Sequence, residues 1–219
     1  MQSKIKPKTF FISTFYKCFA LKNLERLEIS FREELKKRKI IGTVVLTPEG
    51  INSTIAASNK LSLNHGIRFI EKFTGNLVIK NSLSNKQPFK KLKIKKREEI
   101  VPSGFNLNLN NHEGKYIEPK DWQEFISQKN VVTIDVRNDY EIEVGTFKNS
   151  LSPKTKNFRE FNKFIKENKE KLSKKKLAIF CTGGIRCEKA SILFENNGLK
   201  DVHQLSGCIL NFFEKEEDK

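Results

Sequence analysis

The amino-acid sequence predicts a mixed α/β fold in two parts, a ferredoxin-like α+β sandwich followed by an α/β domain with a mostly parallel sheet. Three observations predict this fold. Strand-like and helix-like segments follow the order β-α-β-β-α-β in the first half of the chain. In the second half, short apolar segments alternate with amphipathic ones, as expected for strands buried between helices. The 219 residues are enough for two small hydrophobic cores.

The elements of the first half are predicted from hydrophobic periodicity. Segments rich in aromatic and β-branched residues predict strands at 10–16, 41–46, 51–56, 77–80 and 89–94. A helix is predicted over 24–38, where apolar residues recur at helical spacing, with Asn23 as its expected N-cap. A second helix is predicted over 59–73, and Gly75 can close it. This order places two helices on one face of an antiparallel sheet.

The second half begins after a connector, 101–111, that is rich in asparagine and turn residues. Pro119 suits the first position of a helix whose apolar face contains Trp122. Further strands are predicted at 131–136, 177–180 and 202–205, and further helices at 158–172 and 186–196. We therefore expect a first domain at 1–100, a linker and leading helix at 101–124, and a second domain at 125–219.

The composition favours a polyanionic partner and a reducing compartment. The formal net charge is +16, from 42 Lys and Arg against 26 Asp and Glu. Such an excess favours RNA, DNA or an anionic membrane, although lysine usage in an AT-rich genome is an alternative explanation. No stretch approaches the roughly 18 apolar residues of a membrane span, and 1–8 lacks the apolar run of a signal peptide. Since four cysteines in a chain of this length fit a reducing environment, we expect a cytoplasmic protein with no membrane association.

Two lysine-rich stretches are candidate contacts for phosphate groups. Between 80 and 97 the chain has eight basic residues and no acidic one, and from 154 to 176 it has ten basic residues against three glutamates. Alternation within 91–95 places lysines on one face of a predicted strand. That face is either an edge protected from aggregation or a phosphate-contacting surface, and the absence of acidic residues favours the second. The candidate phosphate contacts are Lys86, Lys90, Lys91, Lys93, Lys95 and Lys96.

The most informative segment joins a predicted strand to a predicted helix through a glycine-rich loop. Cys181 follows the strand at 177–180, and Arg186 begins the helix. Open α/β sheets bind ligands at this edge, where loop amides and the helix dipole favour an anion. These effects and the charge of Arg186 favour a thiolate, so Cys181 is the predicted catalytic residue. The predicted loop for an anion or substrate consists of Thr182, Gly183, Gly184, Ile185 and Arg186.

The spacing within this loop narrows its chemistry. Four residues separate Cys181 from Arg186, which makes a smaller ring than the C-x5-R loop of cysteine phosphatases. A ring of this size suits a sulfur-sized or planar electrophile better than a phosphate ester. A buried structural cysteine is the alternative, but burial alone does not require two glycines and an arginine at these positions.

The other cysteines carry weaker signals. Cys187 lies on the first helical turn after the loop and is either a resolving thiol for Cys181 or a packing residue, with packing favoured. Cys18 and Cys208 have no reactive context in the sequence. Since the three histidines are far apart and no C-x-x-C pair occurs, no metal site is expected. No nucleotide, flavin or haem fingerprint is evident, so no bound cofactor is expected either.

Several motifs carry a resemblance to known families. The loop from Cys181 to Arg186, with Asp135-Val136-Arg137 and Glu141 upstream, resembles a rhodanese domain. In rhodaneses the upstream residues are mainly structural, and Glu141 is expected to pair with Arg137 or with a backbone amide. More narrowly, the chain is similar to the tRNA uridine hydroxylase family, rhodanese-like proteins that form 5-hydroxyuridine at the tRNA wobble position with oxygen. The matching stretches are 49–52, 88–93, 114–119, 135–148 and 181–190.

The resemblance implies a function and leaves alternatives open. It implies oxygen-dependent hydroxylation of the wobble uridine, with Cys181 catalytic, molecular oxygen as co-substrate and the tRNA anticodon stem-loop as partner. It also implies that the first half is an acylphosphatase-like variant of the ferredoxin-like sandwich. A rhodanese-type sulfurtransferase carrying a persulfide on Cys181 and a non-enzymatic RNA-binding module are the alternatives. For the chemical step, attack of the thiolate on C6 of uracil and a Cys181 persulfide both remain open, and the oligomeric state is not predicted.

One position departs from the family pattern. Members of the family carry two glycines where this chain has Gly207-Cys208.

Overall fold

The computed structural model describes residues 9–105, 107–109 and 112–216. The start of the chain, 1–8, and connector positions 106, 110 and 111 therefore lie outside the described residues. The chain divides into two compact units, Met1–Ile100 and Val101–Lys219. No helix in the described ranges is long and apolar enough to cross a membrane.

The first unit is a five-stranded sheet with two helices. Its strands and helices in chain order are β1 (Phe10–Cys18), α1 (Leu24–Lys37), β2 (Ile41–Thr47), β3 (Gly50–Ala57), α2 (Lys60–Thr74), β4 (Lys80–Ser84) and β5 (Leu92–Lys96). The sheet order is β4-β1-β3-β2-β5. The first four strands pair antiparallel, which confirms the ferredoxin-like prediction. The expectation of a purely antiparallel sheet is wrong, because β5 adds to the edge parallel to β2.

Side chains from both helices and the sheet form the core of this unit. Phe31 and Leu35 of α1, Val44 and Ile55 of the sheet, and Ile70 of α2 are fully buried. The second helix is capped by the Asn59 side chain, which accepts a hydrogen bond from the Ser62 amide at 2.9 Å. These contacts explain why the apolar periodicity located both helices to within one residue at each end.

Two details of this unit differ from the sequence prediction. Asn23 stands at the N-cap of α1 in a left-handed conformation, and its side chain makes no capping hydrogen bond to any described residue. Strands β4 and β5 begin three residues later than predicted. Leu77 and Ile79 pack partly buried against the core without joining the ladder, so the apolar pattern marked a core contact rather than strand pairing.

The second unit is a four-stranded parallel sheet surrounded by helices. In chain order its elements are β6 (Lys115–Ile117), α3 (Pro119–Ile126), β7 (Val131–Asp135), α4 (Asp139–Ile142), a 3₁₀ turn (Phe158–Glu160), α5 (Phe161–Leu172), β8 (Lys176–Phe180), α6 (Ile185–Asn196), β9 (Val202–Leu205) and α7 (Cys208–Lys215). The sheet order is β6-β9-β8-β7, and every pairing is parallel. The predicted strand–helix alternation is confirmed, and the sheet is wholly rather than mostly parallel.

The segment expected as linker and leading helix packs within this unit. Strand β6 pairs with β9, and Trp122 of α3 is fully buried. The Trp122 ring lies 6.0 Å from Phe147 and 6.3 Å from Phe180, measured between ring centroids. Helix α3 confirms the helix predicted to begin at Pro119 with Trp122 on its apolar face. Strand β6 has only three residues and gave no distinctive sequence signal, and helices α4 and α7 were not predicted.

Candidate active site

The fold places Cys181 where parallel α/β sheets bind ligands. Strand β8 lies between β9 and β7 and delivers Cys181 to its carboxyl end, and α6 starts four residues later at Ile185. The Cys181 side chain is fully buried. Gly183 lies on the open side of the loop, since a Cβ built there meets no described atom within 4 Å.

The loop backbone is shaped around the Cys181 sulfur. The Gly184 amide donates a hydrogen bond to Cys181 Sγ at 3.1 Å. Gly184 has φ +114°, a conformation that residues with a Cβ rarely adopt. A glycine is therefore required at position 184 for this N–H to point at the sulfur. The position of Gly184 in the loop predicted that its amide stabilises an anion there.

Several groups favour the thiolate form of Cys181. Burial raises the pKa of the Cys181 thiol, but interactions with the neighbouring thiols of Cys187 and Cys208, the charge of Arg186 and the Gly184 amide lower it. The net result is a pKa well below the ordinary value for cysteine. Burial and the neighbouring thiolate raise the pKa of both Cys187 and Cys208, so these two remain neutral thiols. One thiolate at Cys181 beside two neutral thiols is the protonation state that these pKa directions favour.

Arg186 acts on Cys181 through its charge while its donors are used elsewhere. Its guanidinium makes a bidentate pair with Glu141, at 2.5 and 2.7 Å, and also donates to Thr182 Oγ1 at 2.9 Å. The Thr182 hydroxyl donates to Glu141 at 2.8 Å, which closes the network. Burial raises the pKa of Glu141, but the Arg186 hydrogen bonds and charge outweigh it and the pKa is lowered. Arg186 therefore fixes the loop and supplies a field.

The prediction that Glu141 pairs with Arg137 or with a backbone amide is partly wrong. Glu141 accepts a long hydrogen bond from the Asn138 amide at 3.3 Å, as one alternative predicted, but its ionic partner is Arg186. Arg137 instead pairs with Asp135 at 2.6 Å and donates to the Gly145 carbonyl at 2.6 Å. Asp135 and Arg137 are both buried, so this pair holds the chain after β7 in place.

Cys208 is the site residue that sequence reasoning missed. Its Sγ lies 3.7 Å from Cys181 Sγ and 3.6 Å from Cys187 Sγ, and it accepts the Cys181 amide at 3.3 Å. The expectation that Cys208 lacks a reactive context is therefore wrong. Cys208 starts α7, directly after the turn that follows β9, and its φ of +57° is left-handed. Such a conformation costs a residue with a Cβ about 1–2 kcal/mol, so cysteine is held at a position that glycine would fill without strain.

The candidate phosphate contacts belong to the first unit, whereas Cys181 belongs to the second. On β5, Leu92 and Ile94 face the core while Lys93 and Lys95 are exposed, as the alternation predicted. Lys96 differs, because it pairs with Glu25 at 3.0 Å and Glu28 at 3.7 Å. The remaining candidates, Lys86, Lys90 and Lys91, are exposed and precede β5.

Comparisons with known proteins follow the same two-part division. The family described as UPF0176 acylphosphatase like domain matches residues 10–100. The family described as Rhodanese-like domain matches residues 118–215. A rhodanese-related protein from Thermoplasma volcanium aligns with 47% of this chain and 93% of its own, at 25% identity and a TM-score of 0.37.

Two relatives match both halves together. A tRNA uridine(34) hydroxylase from Picosynechococcus sp. is 42% identical over 211 residues, which cover 95% of this chain and 70% of that protein. A tRNA uridine(34) hydroxylase from Rickettsia conorii is 42% identical over 187 residues, which cover 84% of this chain and 75% of that protein. Identity of this level over most of both proteins establishes kinship, and the chain belongs to the tRNA uridine(34) hydroxylase family.

Proposed function

We propose that this chain hydroxylates uridine 34 of tRNA to 5-hydroxyuridine, with Cys181 as the catalytic residue and molecular oxygen as the oxygen source. The observation that carries the proposal is the Cys181 sulfur, held as a thiolate at the carboxyl end of a parallel sheet. The names of its relatives supply the reaction and the substrate. The low pKa supplies a nucleophile that exists at neutral pH.

In this proposal Thr182, Gly184 and Arg186 of the loop have defined tasks. The Gly184 amide and the neighbouring thiols of Cys187 and Cys208 stabilise the negative charge of Cys181. Glu141 and Thr182 hold Arg186 so that its charge stays beside the sulfur without ligating it. The Cys181 thiolate then either adds to C6 of uracil, which makes C5 electron-rich and reactive toward molecular oxygen, or attacks the outer sulfur of a persulfide donor and becomes a persulfide while the donor leaves as its thiolate.

The proposed substrate agrees with the charge of the chain. The net charge of +16 and the exposed lysines on and before β5 suit a polyanionic backbone. An anticodon-loop base is unpaired, so exposing it to the Cys181 loop costs little. We propose that these lysines contact phosphates of the anticodon stem-loop, and that the protein acts in the cytoplasm, where tRNA is present and thiols stay reduced.

The proposal is tested by mass spectrometry of tRNA nucleosides. A strain lacking the gene is complemented with the wild-type protein, with Cys181→Ser, or with Cys18→Ser as a matched control outside the site. We expect 5-hydroxyuridine derivatives with the wild type and Cys18→Ser only. An identical nucleoside profile in every strain would contradict the tRNA assignment. Thiosulfate:cyanide sulfurtransferase activity in the purified protein would then make sulfur transfer the leading function of the same loop.

The two forms of the chemical step are separated by trapping. Purified protein is incubated with an anticodon stem-loop RNA and resolved by denaturing electrophoresis. A Cys181-dependent protein–RNA band supports addition to C6. A labelled persulfide on Cys181 without such a band supports the persulfide route and excludes the adduct.

A further inference from the structure

We propose that Cys181, Cys187 and Cys208 together form a three-thiolate binding site for a thiophilic metal ion, with copper(I) as the best-fitting ion. The three Sγ atoms all lie within 4.8 Å of one another and belong to side chains that are fully buried. They come from three separate places, the end of β8, the first turn of α6 and the start of α7. The site goes beyond the proposed hydroxylation and does not depend on it.

The sulfur positions match metal–thiolate geometry. Cys208 Sγ lies 3.7 Å from Cys181 Sγ and 3.6 Å from Cys187 Sγ. With the third separation at or below 4.8 Å, one point lies about 2.1 to 2.4 Å from all three sulfurs, which brackets the ~2.3 Å of a metal–thiolate bond. A metal ion could therefore sit between the sulfurs with little movement of the backbone, and its binding would release the thiol protons of Cys187 and Cys208 to solvent.

The donor set selects the kind of ion. Thiolates prefer soft ions such as copper(I) and zinc(II), whereas magnesium and calcium prefer oxygen. Zinc(II) takes four ligands, and the described residues offer three clustered donor atoms here. Copper(I) is satisfied by three thiolates in a plane. The charge of Arg186, which acts on both Cys181 and Cys187, offsets part of the negative charge of such a complex.

Cys208 is the residue that completes the site. It is the sulfur within hydrogen-bond reach of both other thiols, and it is held at φ +57° despite its Cβ. A side chain retained in this conformation points to a task that glycine cannot perform. Occupation of the site would take Cys181 out of any nucleophilic reaction, so the metal would act as an inhibitor that depends on Cys208.

The test is a copper(I) titration of the reduced full-length protein without oxygen, in competition with the chromogenic chelator bicinchoninate. We expect one tightly bound copper(I) per chain for the wild type and for Cys18→Ala, which keeps all three cluster thiols. Cys208→Gly removes one sulfur ligand and relieves the strain of the left-handed backbone. We expect it to lower the copper(I) affinity at least about 100-fold, which is the upper end of the loss caused by altering groups that hydrogen-bond to a metal's ligands. Zinc(II) is expected to bind more weakly than copper(I) in the same assay.

X-ray absorption of the copper-loaded wild type is expected to show three sulfur neighbours at about 2.3 Å. Equal copper(I) affinity of wild type and Cys208→Gly would overturn the proposal, as would nitrogen or oxygen in the first coordination shell. Circular dichroism of Cys208→Gly checks that it is folded, and Cys187→Ala provides a second variant that removes a different donor. None of these measurements requires tRNA, so their failure is distinguishable from failure of the proposed hydroxylation.

Discussion

One of the groups that stabilise the Cys181 thiolate is the backbone amide of Gly184, three residues further along the loop. The Gly184 N–H reaches the sulfur at 3.1 Å because Gly184 adopts φ +114°. The adjacent Gly183 faces open space, and its φ is not positive. Two neighbouring glycines thus have different roles, and a methyl group added to each separates them.

Gly184→Ala is expected to raise the pKa of Cys181, because a Cβ forces the backbone away from positive φ and withdraws the amide. Gly183→Ala is the matched control and should leave the pKa nearly unchanged, since its Cβ meets open space. The measurement is the pH dependence of Cys181 alkylation by iodoacetamide, followed by mass spectrometry. Equal pH profiles for the two variants would contradict the role given to the Gly184 amide.

The Glu141–Arg186 pair is expected to stabilise the second unit. Arg186→Met should cost about 2–3 kcal/mol, below the ~3–5 kcal/mol of a fully buried pair, because both side chains keep some exposure. Adding Glu141→Gln to Arg186→Met should recover part of this loss. Trp122 is the only tryptophan in the sequence and is buried in the second unit, so its fluorescence during urea unfolding measures the effect.

The same pair makes stability depend on pH in a defined direction. Since the folded-state pKa of Glu141 is lowered, its contribution is fully present above the ordinary pKa of 4.5 and is lost as the pH falls through the folded-state value. Wild-type stability is therefore expected to decline in acid more steeply than that of Glu141→Gln. Parallel pH profiles of the two proteins, measured by the same fluorescence, would contradict this assignment.

Whether a contact of the site could be predicted from the sequence depends on how far apart its two residues lie along the chain. The strand, glycines and arginine around Cys181 are contiguous, so their joint effect could be predicted. Cys208 lies 27 residues from Cys181, and Glu141 lies 45 residues from Arg186. Those contacts exist only once β8, β9 and the chain after β7 are assembled, and no local pattern encodes them.

At the scale of elements, the long amphipathic helices and the buried strands β7, β8 and β9 were predicted well, whereas β6, α4 and α7 were not predicted. Helices α1, α2 and α5 bury a face large enough to leave a clear periodic pattern. Strand β6 has three residues and α4 has four, too few for any periodicity. The turn into α7 is a further case, because a cysteine at positive φ gives no sequence signal for a helix start.

Helix α3 is expected to be part of the second unit's stability. Trp122→Ala should destabilise that unit by about 3–5 kcal/mol, since it removes a fully buried ring packed against Phe147 and Phe180. Leu210→Ala, at a position 43% exposed, is the control and should change stability by about 0.5 kcal/mol or less. Hydrogen exchange with mass spectrometry resolves the units. In Trp122→Ala, protection from hydrogen exchange should fall in peptides of β8 and β9. Unchanged protection there would show that α3 only links the two units and does not stabilise the second.

At the scale of the whole molecule, the contribution of the net positive charge to tRNA binding must be distinguished from the contribution of particular lysines. Lys93 and Lys95 project from the outer strand of the first sheet and are exposed, whereas Lys96 is engaged with Glu25 and Glu28. We therefore expect the first two to contribute more to tRNA binding than the third.

The double variant Lys93→Glu/Lys95→Glu is expected to weaken tRNA binding. The plot of log affinity against log salt concentration has a negative slope, and its magnitude should decrease by about 1.4 to 1.8, as for two lost phosphate contacts. Lys60→Glu/Lys72→Glu changes the net charge equally at exposed positions of α2 and is the control. Affinity is measured by fluorescence anisotropy over a salt series. Equal losses in both variants would assign binding to net charge alone.

Gly207-Cys208 also bears on how the thiol cluster arises in evolution. The glycine codons GGT and GGC differ from the cysteine codons TGT and TGC by a single base, and the left-handed backbone at this turn is one that glycine occupies without strain. A lineage with two glycines here is therefore one point mutation from the third sulfur, and the same mutation in reverse removes it. The third thiol is thus a trait that selection can gain or discard without rebuilding the catalytic loop.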